Sequence, residues 1–184
     1  MSKKIFIECG SNDGANLRIL NQHNFLEKFD ESYFFEALPF YNESEIYKSV
    51  NFINKAVWIS NGKIKIYVAG NGNVSSSTFL TKYTSNKNNY VVVDAIDLSE
   101  WIRNKFNSED DIFLDMDIEC TEYPLIEKLI SDGTINYIKH LSVEWHTYKC
   151  GFDIPDLENT LHSFPHLKLI NHDSFLKNPS AFYE

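Results

Sequence analysis

The sequence predicts an α/β fold, a doubly wound and mostly parallel sheet with helices on both faces, and three observations carry that expectation. Short β-branched or aromatic runs alternate with longer amphipathic stretches, the pattern of a parallel sheet covered on both sides. The first apolar run passes through a glycine-bracketed turn, Glu8-Cys9-Gly10-Ser11-Asn12-Asp13-Gly14, straight into such a stretch. Finally, the runs that read as strands end in acids: Glu8, Glu36, the Asp115-Met116-Asp117-Ile118-Glu119 segment, and Glu144-Trp145-His146. In an open α/β sheet, ligands sit beyond the carboxyl ends of the strands, so these residues converge on one functional edge.

In chain order, strands are expected at residues 4–8 and 33–37, with a helix at 15–29 between them. A helix at 39–48 leads to strands at 50–59 and 63–69, and Asn61-Gly62 between those two is a hairpin signal. Residues 70–89, rich in Asn, Ser, Thr and Gly, read as a long loop of the kind used as a lid or binding loop. Strands follow at 90–94, 112–117, 138–146 and 167–171, with helices at 99–105, 122–131 and 156–162.

A length of 184 residues suits one domain, 1–184, with a sizeable core. The hydrophobic fraction of 43% argues for a folded globule. No apolar run approaches the ~20 residues of a membrane span. The apolar stretch after Met1-Ser2-Lys3-Lys4 is only Ile5 to Ile7, too short for a signal-peptide core, so the chain reads as cytoplasmic. Cys9, Cys120 and Cys150 are widely spaced and support neither a disulfide framework nor a zinc knuckle. A net charge of −9 with scattered lysines weighs against a nucleic-acid partner.

The first turn has the form E-x-G-x-x-x-G. Gly10 and Gly14 lack the Cβ atoms that would hinder a tight turn and close approach to a ligand. The third glycine of a dinucleotide fingerprint is missing, and so is the Gly-Lys-Ser or Gly-Lys-Thr of a phosphate loop. With an acid at the strand end and no basic residue in the turn, a cationic or neutral ligand fits better than a pyrophosphate.

Five segments together sharpen this: Ile7 to Gly14, Phe34-Phe35-Glu36-Ala37-Leu38-Pro39, Asn54-Lys55-Ala56-Val57, Asp117-Ile118-Glu119-Cys120-Thr121-Glu122 and Val143-Glu144-Trp145-His146. In this order the chain resembles the FkbM-type family of S-adenosylmethionine-dependent O-methyltransferases. The resemblance implies a Rossmann-like, class I methyltransferase architecture. It implies that Glu8, Gly10, Ser11, Asn12, Asp13 and Gly14 cradle the methionine end of S-adenosyl-L-methionine. It further implies that Glu36, with Ala37 beside it, accepts hydrogen bonds from the ribose, that Ala56 and Val57 flank the adenine, and that Asp117 stands beside the methyl group. Two positions depart from the family's K-x-D-x-E-G-x-E pattern: its lysine is Asp115 here and its glycine is Cys120.

Methyl transfer to an alcohol needs a base, or a metal that lowers the hydroxyl pKa. His146 is the expected base, with an ordinary pKa of ~6.5; Glu144, two residues earlier on the same face, would orient it or bind substrate. His23, His140, His162, His166 and His172 read as surface or structural. The competing expectation is Mg²⁺ or Ca²⁺ held by Asp115, Asp117 and Glu119 or Glu144, since hard cations choose carboxylate oxygens. FkbM-like enzymes often methylate sugar hydroxyls, which makes a sugar or glycan the expected acceptor. Glu119, Trp145 and Ser76 are its expected contacts; Tyr83 and Tyr148 are further stacking candidates, and the Val74-Ser75-Ser76-Ser77-Thr78 loop is a candidate closing segment. A non-carbohydrate acceptor, or a degenerate Rossmann-like domain that binds without turnover, remains the alternative reading. Asp115 and Cys120 favour the latter.

Overall fold

Six strands, all parallel, form the main sheet in the order β3-β2-β1-β7-β8-β9. They are β1 (Lys4–Cys9), β2 (Glu31–Phe35), β3 (Asn51–Ile53), β7 (Asp111–Met116), β8 (Ile138–Val143) and β9 (Lys168–Asn171). A second sheet, in the order β4-β6-β5, combines β4 (Ala56–Trp58), β5 (Gly62–Tyr67) and β6 (Tyr90–Asp97). The helices are α1 (Ala15–Gln22), α2 (Leu98–Lys105), α3 (Glu122–Ser131), α4 (Leu157–His162) and α5 (His172–Lys177), with short 3₁₀ turns between elements. This computed structural model describes residues 2–39, 45–68, 76–79, 87–146 and 157–183.

Strand periodicity sorts the two layers. In β1, Ile5, Ile7 and Cys9 face one core while Phe6 faces the other; in β7, Ile112, Leu114 and Met116 oppose Phe113 in the same way. The first layer closes under α2, α3 and α4 through Leu98, Ile102, Leu125, Leu129, Leu157 and Leu161. The second is aromatic: Phe6 meets Phe25 edge-on at 5.8 Å and Phe25 meets Phe175 of α5 at 5.2 Å. Glu8 follows the Phe6 side of this alternation and lies in register with Asp115 of β7.

Several expectations change. The helix at 15–29 ends at Gln22, because Asn24 adopts a left-handed conformation with φ 51° and starts a 3₁₀ turn that inserts Phe25 into the core. The strand expected at 50–59 is two strands in two sheets. Between them Asn54 donates from Nδ2 to the carbonyls of Glu36 and Leu38, tying the switch to the tip of β2. Asn61-Gly62 does not close a hairpin, because β6 lies between β4 and β5; Asn61 instead accepts from the Asp97 amide at 3.0 Å. Residues 144–146 continue past the end of β8, and α5 was not anticipated. The described part of the expected 39–48 helix is a 3₁₀ turn, Glu45–Ser49. Cys120 is disulfide-bonded, against expectation, while Cys9 is a buried free thiol. Tyr83, Tyr148, Val74 and Ser75 lie outside the described residues. Among the described residues no helix is long and apolar enough to cross a membrane.

Asp97 caps α2, its side chain accepting from the Glu100 amide at 2.9 Å, with Lys128 3.3 Å away. Asp97→Ala is expected to cost ~1 kcal/mol and to lower the melting temperature by roughly 2–4 °C, read by circular dichroism. An unchanged melting curve would show that the cap does not stabilise the fold.

Candidate active site

The turn after β1 is held by the protein itself. Gly10 and Ser11 both donate their amides to the Phe35 carbonyl at 3.0 Å, and the Ser11 hydroxyl donates to the same oxygen at 3.1 Å. Gly10 has φ +96°, and a Cβ there would sit 1.9 Å from the Asp117 carbonyl oxygen. Gly14, with φ +81°, would meet Ile46 at 2.8 Å. Gly10 is therefore demanded by the packing of neighbouring backbone, whether or not a ligand is bound, whereas Gly14 is favoured by its φ and by a side chain close by. Asp13 is exposed; it accepts from the Ala15 amide and pairs with Arg18 at 2.9 Å, securing the start of α1.

A cavity opens beyond the strand tips. Of the residues expected to hold the methyl donor, Gly10, Asn12, Glu36, Ala37, Ala56, Val57 and Asp117 line it, and so do Ser76 and Glu119 from the expected acceptor side. Glu8, Ser11, Asp13 and Gly14, expected with them, are not among the lining residues. Thr78 of the expected closing segment also lines it, and the sequence reading gave no role to several wall residues, among them Leu38, Lys55, Ile66 and Thr121. Lys55 and Leu38 immediately flank expected positions and Thr121 lies within the Asp117–Glu122 segment; Ile66 carries no local signal. Glu36 accepts from the Asn12 amide at Oε2 and the Leu38 amide at Oε1, each at 2.7 Å. Burial raises its pKa, opposed by these backbone donors. An ionised carboxylate has about four acceptor directions, so capacity remains for ligand hydroxyls.

Behind Asp117 two buried histidines converge. The His146 backbone amide and Nδ1 lie 3.1 and 2.8 Å from Oε1 of Glu122, the first residue of α3; its Nε2 lies 3.3 Å from Glu144 and 3.6 Å from both Asp117 and Glu119. His172, the first residue of α5, has Nδ1 2.9 Å from Asp115 and Nε2 3.7 Å from Glu144. His172 is thus part of the acidic cluster, correcting its reading as a surface or merely structural residue. Trp145 packs on Tyr123 at 5.4 Å, against the core and away from the cavity lining.

The electrostatics follow from this crowding. Burial opposes charge on His146, but the Glu122, Glu144 and Glu119 carboxylates outweigh it and push its pKa up to about 10. The ordinary value on which its selection as a base rested does not hold in this setting. Burial likewise opposes charge on His172, which Asp115, Asp117 and Glu144 push up to about 9. Asp117 rises to about 7, through burial and the Glu144 charge, while His146 brings Glu144 down to about 2. Glu8, fully buried beside Asp115 and Asp117, is raised well above the usual range.

Two groups of metal-capable donors lie within 4.8 Å of one another, Asp117 with Glu144 and His172, and Asp117 with Glu119 and His146. Asp115, expected with Asp117 and Glu119, belongs to neither; its Oδ1 is directed to His172. The segment leaving β7 is strained, with Glu119 at φ 50° and Cys120 at φ 77°. That left-handed conformation at Cys120 accounts for the glycine the FkbM-type pattern carries there. No curated protein and no solved structure matches the chain. The model of the methyltransferase FkbM domain does match, over residues 8–167. That span begins near the end of β1 and takes in β2 to β8, the cavity and His146, and the chain belongs to the FkbM methyltransferase family.

Proposed function

We propose that this protein is an S-adenosylmethionine-dependent O-methyltransferase acting on a sugar hydroxyl. The observation that carries the reading is the single cavity lined by seven expected donor residues, with Asp117 both in its wall and in the acidic cluster. The lining suits that cofactor: Glu36 offers carboxylate acceptors for ribose hydroxyls, while Phe35, Ala56, Val57 and Ile118 supply apolar flanks for an adenine. Bound there, the cofactor would supply an electrophilic methyl group and would take back the carbon–sulfur bonding pair, leaving the hydroxyl proton to the protein. Holding the oxygen in line contributes up to ~7–11 kcal/mol of the barrier reduction. Asp117 and Glu144 hold the hydroxyl, and Asp117, whose pKa is raised to about 7, receives its proton, His146 beside it being already protonated. A polyhydroxylated acceptor fits because Glu119, Asp117 and Ser76 present hydrogen-bonding groups at the cavity wall.

Calorimetric titration with S-adenosylmethionine tests the reading. Hydrogen bonds to a charged acceptor contribute ~1.5–3 kcal/mol, so Glu36→Gln is expected to weaken binding by roughly 10–100-fold. A wild-type chain that binds no donor overturns the proposal. Transfer to phenolic or other non-carbohydrate acceptors, with none to sugars, would overturn the acceptor assignment alone.

A further inference from the structure

We propose that Asp117, Glu144 and His172 form a binding site for one divalent first-row transition-metal ion. This deepens the methyltransferase reading and rests on it only for the ion's use, which is to hold the acceptor hydroxyl; binding itself is independent. The three residues offer two carboxylates and an imidazole whose ligand atoms lie within 4.8 Å of one another. Donors ~2.1 Å from a shared ion stand about 3–3.4 Å apart, so the 3.7 Å between His172 Nε2 and Glu144 Oε2 closes with a small side-chain adjustment.

The surroundings have the form that ligating histidines use. Asp115, wholly buried, engages Nδ1 of His172 at 2.9 Å and leaves Nε2 directed toward Glu144. A carboxylate on the far nitrogen fixes the tautomer and orients the ring for a metal. The independent observation is Glu8. It is 1% exposed, neither carboxylate oxygen has a hydrogen-bond partner, and it lies in register with Asp115 on the strand beside it. A buried carboxyl group with neither oxygen hydrogen-bonded carries unmet polar capacity, which is costly without a partner nearby. Among the described residues, the ion pairs of Asp115, Asp117 and Glu144 are all with His146 or His172, which leaves the acids in excess. An imidazole donor favours a first-row ion over Mg²⁺ or Ca²⁺, which prefer all-oxygen sites. The side chains of Asp117 and Glu144 are 30% and 41% exposed, so coordination positions remain open toward the cavity side.

The test is an electron paramagnetic resonance titration of the chelator-stripped full chain with Mn²⁺, in the absence of S-adenosylmethionine. One ion per chain is expected. Glu144→Gln, at a half-exposed position, is expected to weaken binding at least ~10-fold, and Asp115→Asn by ~10–100-fold; His162→Ala, an exposed histidine belonging to neither donor group, should bind as wild type. No Mn²⁺ binding by the wild type, or wild-type binding in both Glu144→Gln and Asp115→Asn, overturns the inference. S-adenosylmethionine bound without Mn²⁺ would leave the donor reading standing and remove the metal. Mn²⁺ bound by a chain that takes no donor would do the reverse.

Discussion

Gly10→Ala is expected to destabilise the protein by about 2–5 kcal/mol, combining ~1–2 kcal/mol for a left-handed residue with a Cβ and ~1–3 kcal/mol for forcing atoms into a packed site. The new Cβ would stand 1.9 Å from the Asp117 carbonyl oxygen, which is backbone and cannot rotate away. Relief requires β1 and β7 to separate at their tips, where the Asp117 amide also donates to the Cys9 carbonyl at 3.0 Å. The damage therefore reaches the cavity wall as well as the fold. Gly14→Ala is the comparison: it has a similar φ, but its neighbour is the Ile46 side chain, so it should cost less. Thermal melts of the two variants check the prediction. A Gly10→Ala chain melting at or above Gly14→Ala would show that the strand tips yield more easily than the geometry implies.

Asp117→Asn is expected to lower methyl transfer by ~10²–10⁴-fold, the range for a group that handles a proton in the transition state. Donor affinity should fall far less than turnover, and the melting temperature should change little. The reasoning is positional. Asp117 lines the cavity, lies 3.6 Å from His146 and has a ligand atom within 4.8 Å of those of Glu144 and His172. Asparagine keeps the volume and removes the charge. Single-turnover transfer of a labelled methyl group is the measurement, with donor titration alongside. A variant that turns over within threefold of wild type would move the chemistry away from Asp117.

Much of this was legible in the chain because it is written locally. The alternation of Ile5, Phe6, Ile7 and Glu8 gives both the strand and the two faces it serves. The turn from Gly10 to Gly14 and the acid Glu36 can be placed by spacing alone. The role of Glu122 was harder: its position in the motif was visible, but not that it is buried and holds His146. His172 was misread because nothing near it in sequence resembles a site. Its partner Asp115 is 57 residues away, and they meet only because β9 stacks beside β8 and α5 turns back over the second layer.

Sequence by itself determined the α/β class, the strand tips that carry acids, and membership of a methyltransferase family, since periodicity and short motifs are properties of neighbouring residues. Tertiary structure alone decided that residues 51–53 and 56–58 belong to different sheets and that the glycine turn is packed against Asp117. It also decided that Asp115, found where the FkbM-type pattern has lysine, is paired with a histidine from the far end of the chain. The physical reason is common to all three. A buried carboxylate's charge, and a glycine's necessity, depend on what lies within a few ångströms, and that is set by strand order and register, which local pattern does not encode.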